Sequence, residues 1–257
     1  MFKFNNLISI AFIFPVLSSF VACSSYADET ISYQARQMAS GAKVDVFQIK
    51  DLSKLKLFWQ DETGHPFLKF EKITQQLTSC ETLMFAMNAG MYHPDYAPVG
   101  LYIENGKELN TVNQQQGFGN FFMQPNGVLA WNSQQAVIKS TQNYKNLHFN
   151  AEYATQSGPM LVFDGQINPH FLPNSNSLKI RNGVGIKENK LYFAISRNPV
   201  NFYQFADFFK TDLNIENALY LDGSISSLYF PEINRRDRRY KLGPMLAVVT
   251  QQTCIKP

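Results

Sequence analysis

Apolar and polar residues alternate with period two over 44–49 (VDVFQI), the pattern of a strand with two unlike faces. The run 55–59 (LKLFW) repeats it. Gly64-His65-Pro66 then marks a turn, and Phe67, Phe70, Ile73 and Leu77 recur at helical spacing. Residues 83–87 (LMFAM) read as a short buried strand ending at Asn88-Ala89-Gly90. Residues 98–103 lead into Asn105-Gly106, a strong hairpin signal, with 107–112 as the returning partner. After Pro125-Asn126-Gly127 a strand resumes at 128–131 (VLAW). Residues 160–163 (MLVF) close on Asp164-Gly165, and a polar loop covers 168–177. The runs 179–186 and 190–195 predict two strands joined by residues 187–189. Phe202, Phe205, Phe208, Phe209 and Leu213 predict one amphipathic helix over 201–213. Residues 219–221, 228–230 and 244–250 finish the chain as strands. No repeat and no long linker divides the sequence. The expectation is a single compact α+β domain of strand-rich mixed sheets with a few helices.

The first residues do not belong to that pattern. Lys3 precedes an uncharged apolar run at 7–22, too short for a comfortable membrane span. This predicts an export signal over 1–27, cleaved after Ala27, with the folded domain at 28–257. The alternative is a lipoprotein signal ending before Cys23, in which case the membrane is met only through a lipid anchor there. Either way the expected destination is outside the cytoplasm, in the periplasm or secreted. Cys80 and Cys254 then either form one disulfide or stay as buried thiols. A net charge of +3 over 257 residues excludes a broad nucleic-acid face. The 22 Phe and 12 Tyr suit a well-filled core or an aromatic groove.

Familiar catalytic signatures are missing: no G-x-S-x-G elbow, no H-E-x-x-H, no phosphate-binding glycine loop. What stands out instead is a set of polar turns beside apolar runs: Asn88-Ala89-Gly90, Ser157-Gly158-Pro159, Arg181-Asn182-Gly183 and Asp222-Gly223. Asp222 and Gly223 read as a hairpin turn or as the floor of a site. Loops at strand ends commonly present functional groups, and glycine lets backbone approach a ligand. His93 beside Asp95 is open to metal binding, proton relay or a plain surface loop. The cluster 235–239 (RRDRR) reads first as a solvated hairpin tip, and second as a phosphate contact.

Taken in order, NAGMY at 88–92, PVGLYIENG at 98–106, SGPMLV at 157–162, RNGVGI at 181–186 and ALYLDGSISSLY at 218–229 resemble the phosphodiester glycosidase family. The resemblance runs over roughly residues 80–250. Members of that family carry an Asn-Gly-Gly-Phe-like stretch, an Arg-Thr-x-x-Gly-like stretch and a closing Leu-Asp-Gly-Gly-Gly-Ser-Ser. Asn88 matches the first Asn, with Ala89 in place of a glycine. Arg181 and Gly185 match the second stretch, with Asn182 in place of Thr. Asp222, Gly223, Ser226 and Ser227 match the third, with Ser224 and Ile225 in place of glycines. The resemblance implies a divergent bacterial exported member, and a hydrolase that cleaves a sugar-1-phosphodiester at the C–O bond.

On that resemblance, Asp222, Arg181 and Asn88 are the expected catalytic residues. Asp222 would stabilise oxocarbenium-like charge or activate water, and Arg181 would hold the phosphoryl oxygens. Gly90, Gly158, Asn182, Gly183, Gly223, Ser226, Ser227 and His93 are the expected substrate contacts. A divalent cation, calcium or magnesium, held by Asp222 and Asp95 stays open. The expected partner is a small-molecule or cell-envelope sugar phosphodiester. The alternatives are a noncatalytic carbohydrate-binding or envelope-binding module, and a phosphodiesterase that cuts P–O.

Overall fold

The computed structural model describes Met1 and residues 30–251. The expected export signal and the alternative lipidation site therefore lie outside the described residues, as do Cys23 and Cys254. Cys80 is disulfide-bonded.

In chain order the first strands are β1 (Ile31–Gln37), β2 (Lys43–Ile49), β3 (Leu55–Phe58), β4 (Glu81–Asn88), β5 (Tyr102–Glu104) and β6 (Lys107–Asn110). The middle strands are β7 (Gly127–Trp131), β8 (Ala136–Ser140), β9 (Tyr153–Ser157), β10 (Met160–Phe163) and β11 (Gln166–Ile167). The last are β12 (Asn182–Lys187), β13 (Lys190–Ser196), β14 (Asn217–Tyr220), β15 (Leu228–Phe230), β16 (Arg235–Arg236) and β17 (Met245–Gln251). Helices α1 (Phe70–Gln76), α2 (Thr141–Lys145) and α3 (Phe202–Asp207) are short.

Three antiparallel sheets result: β1-β2-β13-β12-β14-β10-β11, β16-β15-β4-β17-β3 and β6-β5-β9-β7-β8. Their inner faces share one large core. Phe47, Phe85 and Phe230 meet there, with centroids 4.9 Å apart for Phe47–Phe85 and 5.0 Å for Phe47–Phe230. Each such ring removed from water contributes about 2–3 kcal/mol. Trp131 is buried in the same core and satisfies its indole N–H on the Leu55 carbonyl at 3.0 Å. The outer face of the seven-stranded sheet packs under α3, where Phe205, Phe208 and Phe209 cover Val44, Val46, Ala194 and Tyr220.

Two expectations change. The single helix over 201–213 is instead α3 followed by one wide π turn at Phe208–Asp212. An Asn201 capping box with Gln204 starts α3, and the π turn brings both Phe208 and Phe209 inward. The Asp222-Gly223 turn is not a hairpin tip. β14 lies in the seven-stranded sheet and β15 in a five-stranded one, so residues 222–227 carry the chain from one sheet to the other.

Candidate active site

Crossing between two sheets exposes backbone groups that neither ladder can pair, and the crossover meets them with amides. Asn88, at the end of β4, is 1% exposed. Its Nδ2 donates to the Asp222 carbonyl at 2.8 Å, and its Oδ1 accepts from the Ser227 N–H at 2.9 Å. Asn182, which opens β12, is fully buried and donates Nδ2 to Asn88 Oδ1 at 3.0 Å. The Ser226 hydroxyl lies 3.0 Å from Asn182 Oδ1 and 3.1 Å from the Gly223 carbonyl. Three stretches far apart in sequence thus lock one turn in place.

Asp222 heads that turn. One carboxylate oxygen accepts the Ser224 N–H at 3.2 Å, which starts the tight turn Gly223–Ile225. No cation pairs with the carboxylate among the described residues. Desolvation raises its pKa above the ordinary carboxylate value, against the smaller opposing pull of the Ser224 N–H. Two phenols share its surroundings. Burial, then the Asp222 charge, push Tyr92 up to about 12. Tyr220 also rises to about 12, mainly through burial, with Asp222 raising it and Arg181 opposing. Neither tyrosine was singled out from the sequence as a site residue. Tyr220 precedes Asp222 by two positions in an extended segment, the one signal that could have found it.

Arg181 is only 2% exposed. Its Nε donates to the Val200 carbonyl at 2.9 Å, one terminal nitrogen to the Ser177 carbonyl at 2.8 Å, and the other to the Tyr220 hydroxyl at 3.3 Å. The guanidinium sits 3.7 Å over the Phe202 ring, and burial lowers its pKa. Arg181, the residue expected to hold phosphate, is thus a buried charge that touches Tyr220 beside Asp222.

The turn is also one wall of a cleft of about 780 Å³. Gly223, Ser224, Ser226 and Ser227 line it, facing Lys179, Arg197 and the β15–β16 hairpin arginines. The cluster at 235–239 is therefore part of a cleft wall, which the hairpin-tip reading had missed. Asp45 organises that wall from beneath. It is fully buried and accepts from Arg197 Nε at 3.0 Å, Arg235 at 3.1 Å and the Tyr33 hydroxyl at 2.8 Å.

Other expected contacts lie elsewhere. A Cβ on Gly90 would run into Gln156 and Thr155, on Gly158 into Asn126 and Phe121, and on Gly183 into Leu219. Those three glycines admit close chain packing. Asn88 and Asn182 spend their amides on the turn. His93 is exposed and lines a separate groove with Trp59 and Phe122. Asp95 is exposed too, and accepts the Ala97 N–H of its own turn at 3.1 Å. Among the described residues, no three of His, Cys, Asp and Glu gather as a metal-binding group.

The family model for phosphodiester glycosidase matches residues 81–249. The YigE protein of Escherichia coli (strain K12) is 39% identical over 196 residues, covering 76% of this chain and 77% of that protein. Among solved structures, the catalytic domain of zebrafish N-acetylglucosamine-1-phosphodiester alpha-N-acetylglucosaminidase, auto-inhibited by its pro-peptide, shares the fold. The TM-score is 0.59 at 16% identity, over 85% of this chain and 81% of that one.

Proposed function

The chain belongs to the phosphodiester glycosidase family, and from that premise we propose that it hydrolyses a sugar-1-phosphodiester at the C1–O bond outside the cytoplasm. The observation that carries this reading is Asp222: a half-buried carboxylate with no cation partner, at the head of a turn that forms one wall of a cationic cleft.

As the C1–O bond breaks, its electron pair leaves with the phosphate, and positive charge builds on C1 and the ring oxygen. The Asp222 carboxylate stabilises that charge and receives a proton from the attacking water, whose oxygen joins C1. Its raised pKa suits a base that must hold the proton briefly. The leaving phosphomonoester is a good leaving group, so a second carboxylic acid is not required. The phosphoryl oxygens take donors from the cleft wall. The Ser224 hydroxyl and Nη1 of Arg197 are free of hydrogen-bond partners among the described residues. Arg181 acts through Tyr220 as a positioning residue, and Asn88 and Asn182 hold the turn at its required height.

The test is release of free sugar from an N-acetylglucosamine 1-phosphomethyl ester in heavy-oxygen water. Label in the sugar is the expected result, and Asp222→Asn should lower turnover by about 10³-fold while the protein stays folded. Label in the phosphate would assign P–O cleavage instead. Near-normal turnover by D222N would remove Asp222 from the chemistry.

A further inference from the structure

One phosphodiester carries a single negative charge, yet the cleft holds six cations. Three of them are already balanced. Asp45 holds Arg197 and Arg235, Asp237 pairs with Arg235 at 3.0 Å, and Glu71 pairs with Arg238. Lys179, Arg236 and Arg239 have no carboxylate within ion-pair distance among the described residues, and all three side chains are exposed at the cleft. They come from two directions. Lys179 lies on the segment before β12, while Arg236 and Arg239 lie on and after the short strand β16. A surface kept charged only for solubility has no reason to converge on a walled cleft, and here the wall is fixed. Asp45, buried on the inner face of β2, ties the arginine hairpin to the seven-stranded sheet through Arg235, and ties Arg197 beside it. A fixed wall holds the backbone that carries these exposed donors, and arginine forks match phosphate and carboxylate oxygens.

We propose that Lys179, Arg236 and Arg239 form a second anion subsite, and that the natural aglycone carries an additional anionic group beyond the scissile phosphodiester. The substrate class is then a sugar-1-phosphate ester of an acidic or phosphorylated alcohol, not of a neutral one. This rests on the hydrolase reading for the word "aglycone", but the subsite itself does not.

The experiment separates the two. Binding to the intact folded protein is measured by calorimetry for three product-like probes: methyl phosphate, glycerol 1,3-bisphosphate and 3-phosphoglycerate. The last two differ in whether the extra charge is phosphate or carboxylate. At low salt, glycerol 1,3-bisphosphate should bind about tenfold tighter than methyl phosphate, as expected for two or three exposed ion pairs. The advantage should shrink with added salt. Arg236→Ala/Arg239→Ala should bring the affinities together. Lys107→Ala/Lys190→Ala, which removes the same charge at exposed positions that do not line the cleft, should leave the preference intact. A matching preference for 3-phosphoglycerate would assign the subsite to anions in general, and its absence to phosphate. Equal binding of all three probes, or a preference that survives R236A/R239A, would overturn the proposal. Tight, arginine-dependent bisphosphate binding in a protein that releases no sugar from the methyl ester or from the matching 1-phosphodiester of glycerol phosphate would sink the hydrolase reading and leave the subsite standing.

Discussion

The turn at residues 222–227 has two unlike surroundings. Around Asp222, the half-buried carboxylate and Tyr92 phenol and the buried Tyr220 phenol and Arg181 guanidinium crowd together, and each is shifted by burial. Along the serine side, charges are half open and paired or unpaired at the surface of a cleft. The first environment makes ionisation expensive, so small displacements there change chemistry. The second makes ionisation cheap and individual contacts weak, so it serves recognition by sum. A chain that puts both on one six-residue turn can couple binding on one side to a carboxylate on the other without moving any domain.

The sharpest way to break the coupling is at Gly223, the residue shared by both sides. A side chain there would collide with the Tyr220 hydroxyl, which is held in a fully packed position by α3. Tyr220 cannot swing away, so the turn must move and carry Asp222 with it. Gly223→Ala should lower turnover by about 100-fold, since misplacement of about 1 Å costs that much. Melting temperature should fall only modestly. Turnover within a fewfold of the wild type would mean the turn is slack, and the comparison would lose its structural basis.

The amide seam sets that stiffness. Asn88→Ala removes the acceptor of the Ser227 N–H and the donor to the Asp222 carbonyl, and leaves the Asn182 Nδ2 only the Asn88 main-chain carbonyl at 3.3 Å. Leaving such groups buried and unpaired should cost about 3 kcal/mol of stability, read from denaturant midpoints. The loss should fall on both environments together, lowering turnover and anion affinity alike. A variant that lost turnover but kept stability would make Asn88 a substrate contact after all.

Much of this was legible in advance, and the misses have physical causes. Strands with one apolar and one polar face, such as β3, declared themselves by period. The strand β9 did not, because Thr155, Gln156 and Ser157 are all buried, so polarity carries no sign of facing. Edge strand β1 is largely exposed and has no clear alternation. The case of Asp45 is the most instructive. Alternation in VDVFQI places it opposite Val44 and Val46, which suggests the solvent face. Those valines face α3, while Asp45 shares the other, equally buried face with Phe47 and Ile49. With both faces covered, the polar position marks a buried ion pair. The motifs around Asn88, Arg181 and Asp222 did converge on one turn, but their spacing could not say which side chains would be consumed in building it. Nor could it bring Lys179 and Arg197 to the arginine hairpin, because that proximity depends on how two sheets meet.

The smallest expected effect tests the claim that ionisation is expensive on the Asp222 side. The folded-state pKa of Asp222 is raised above its unfolded value. Below the ordinary carboxylate pKa of about 4, both states hold the proton and the group costs nothing. As pH rises through the folded pKa, the folded state must ionise a desolvated group, and stability is lost relative to a neutral side chain there. Asp222→Asn keeps an oxygen to accept the Ser224 N–H and removes that cost. The inactive variant should therefore melt higher than the wild type at pH 7, and the two melting curves should converge near pH 4. A D222N protein less stable at pH 7 would mean that the carboxylate is favoured by its surroundings, and the contrast between the two sides of the turn would collapse to a difference in exposure alone.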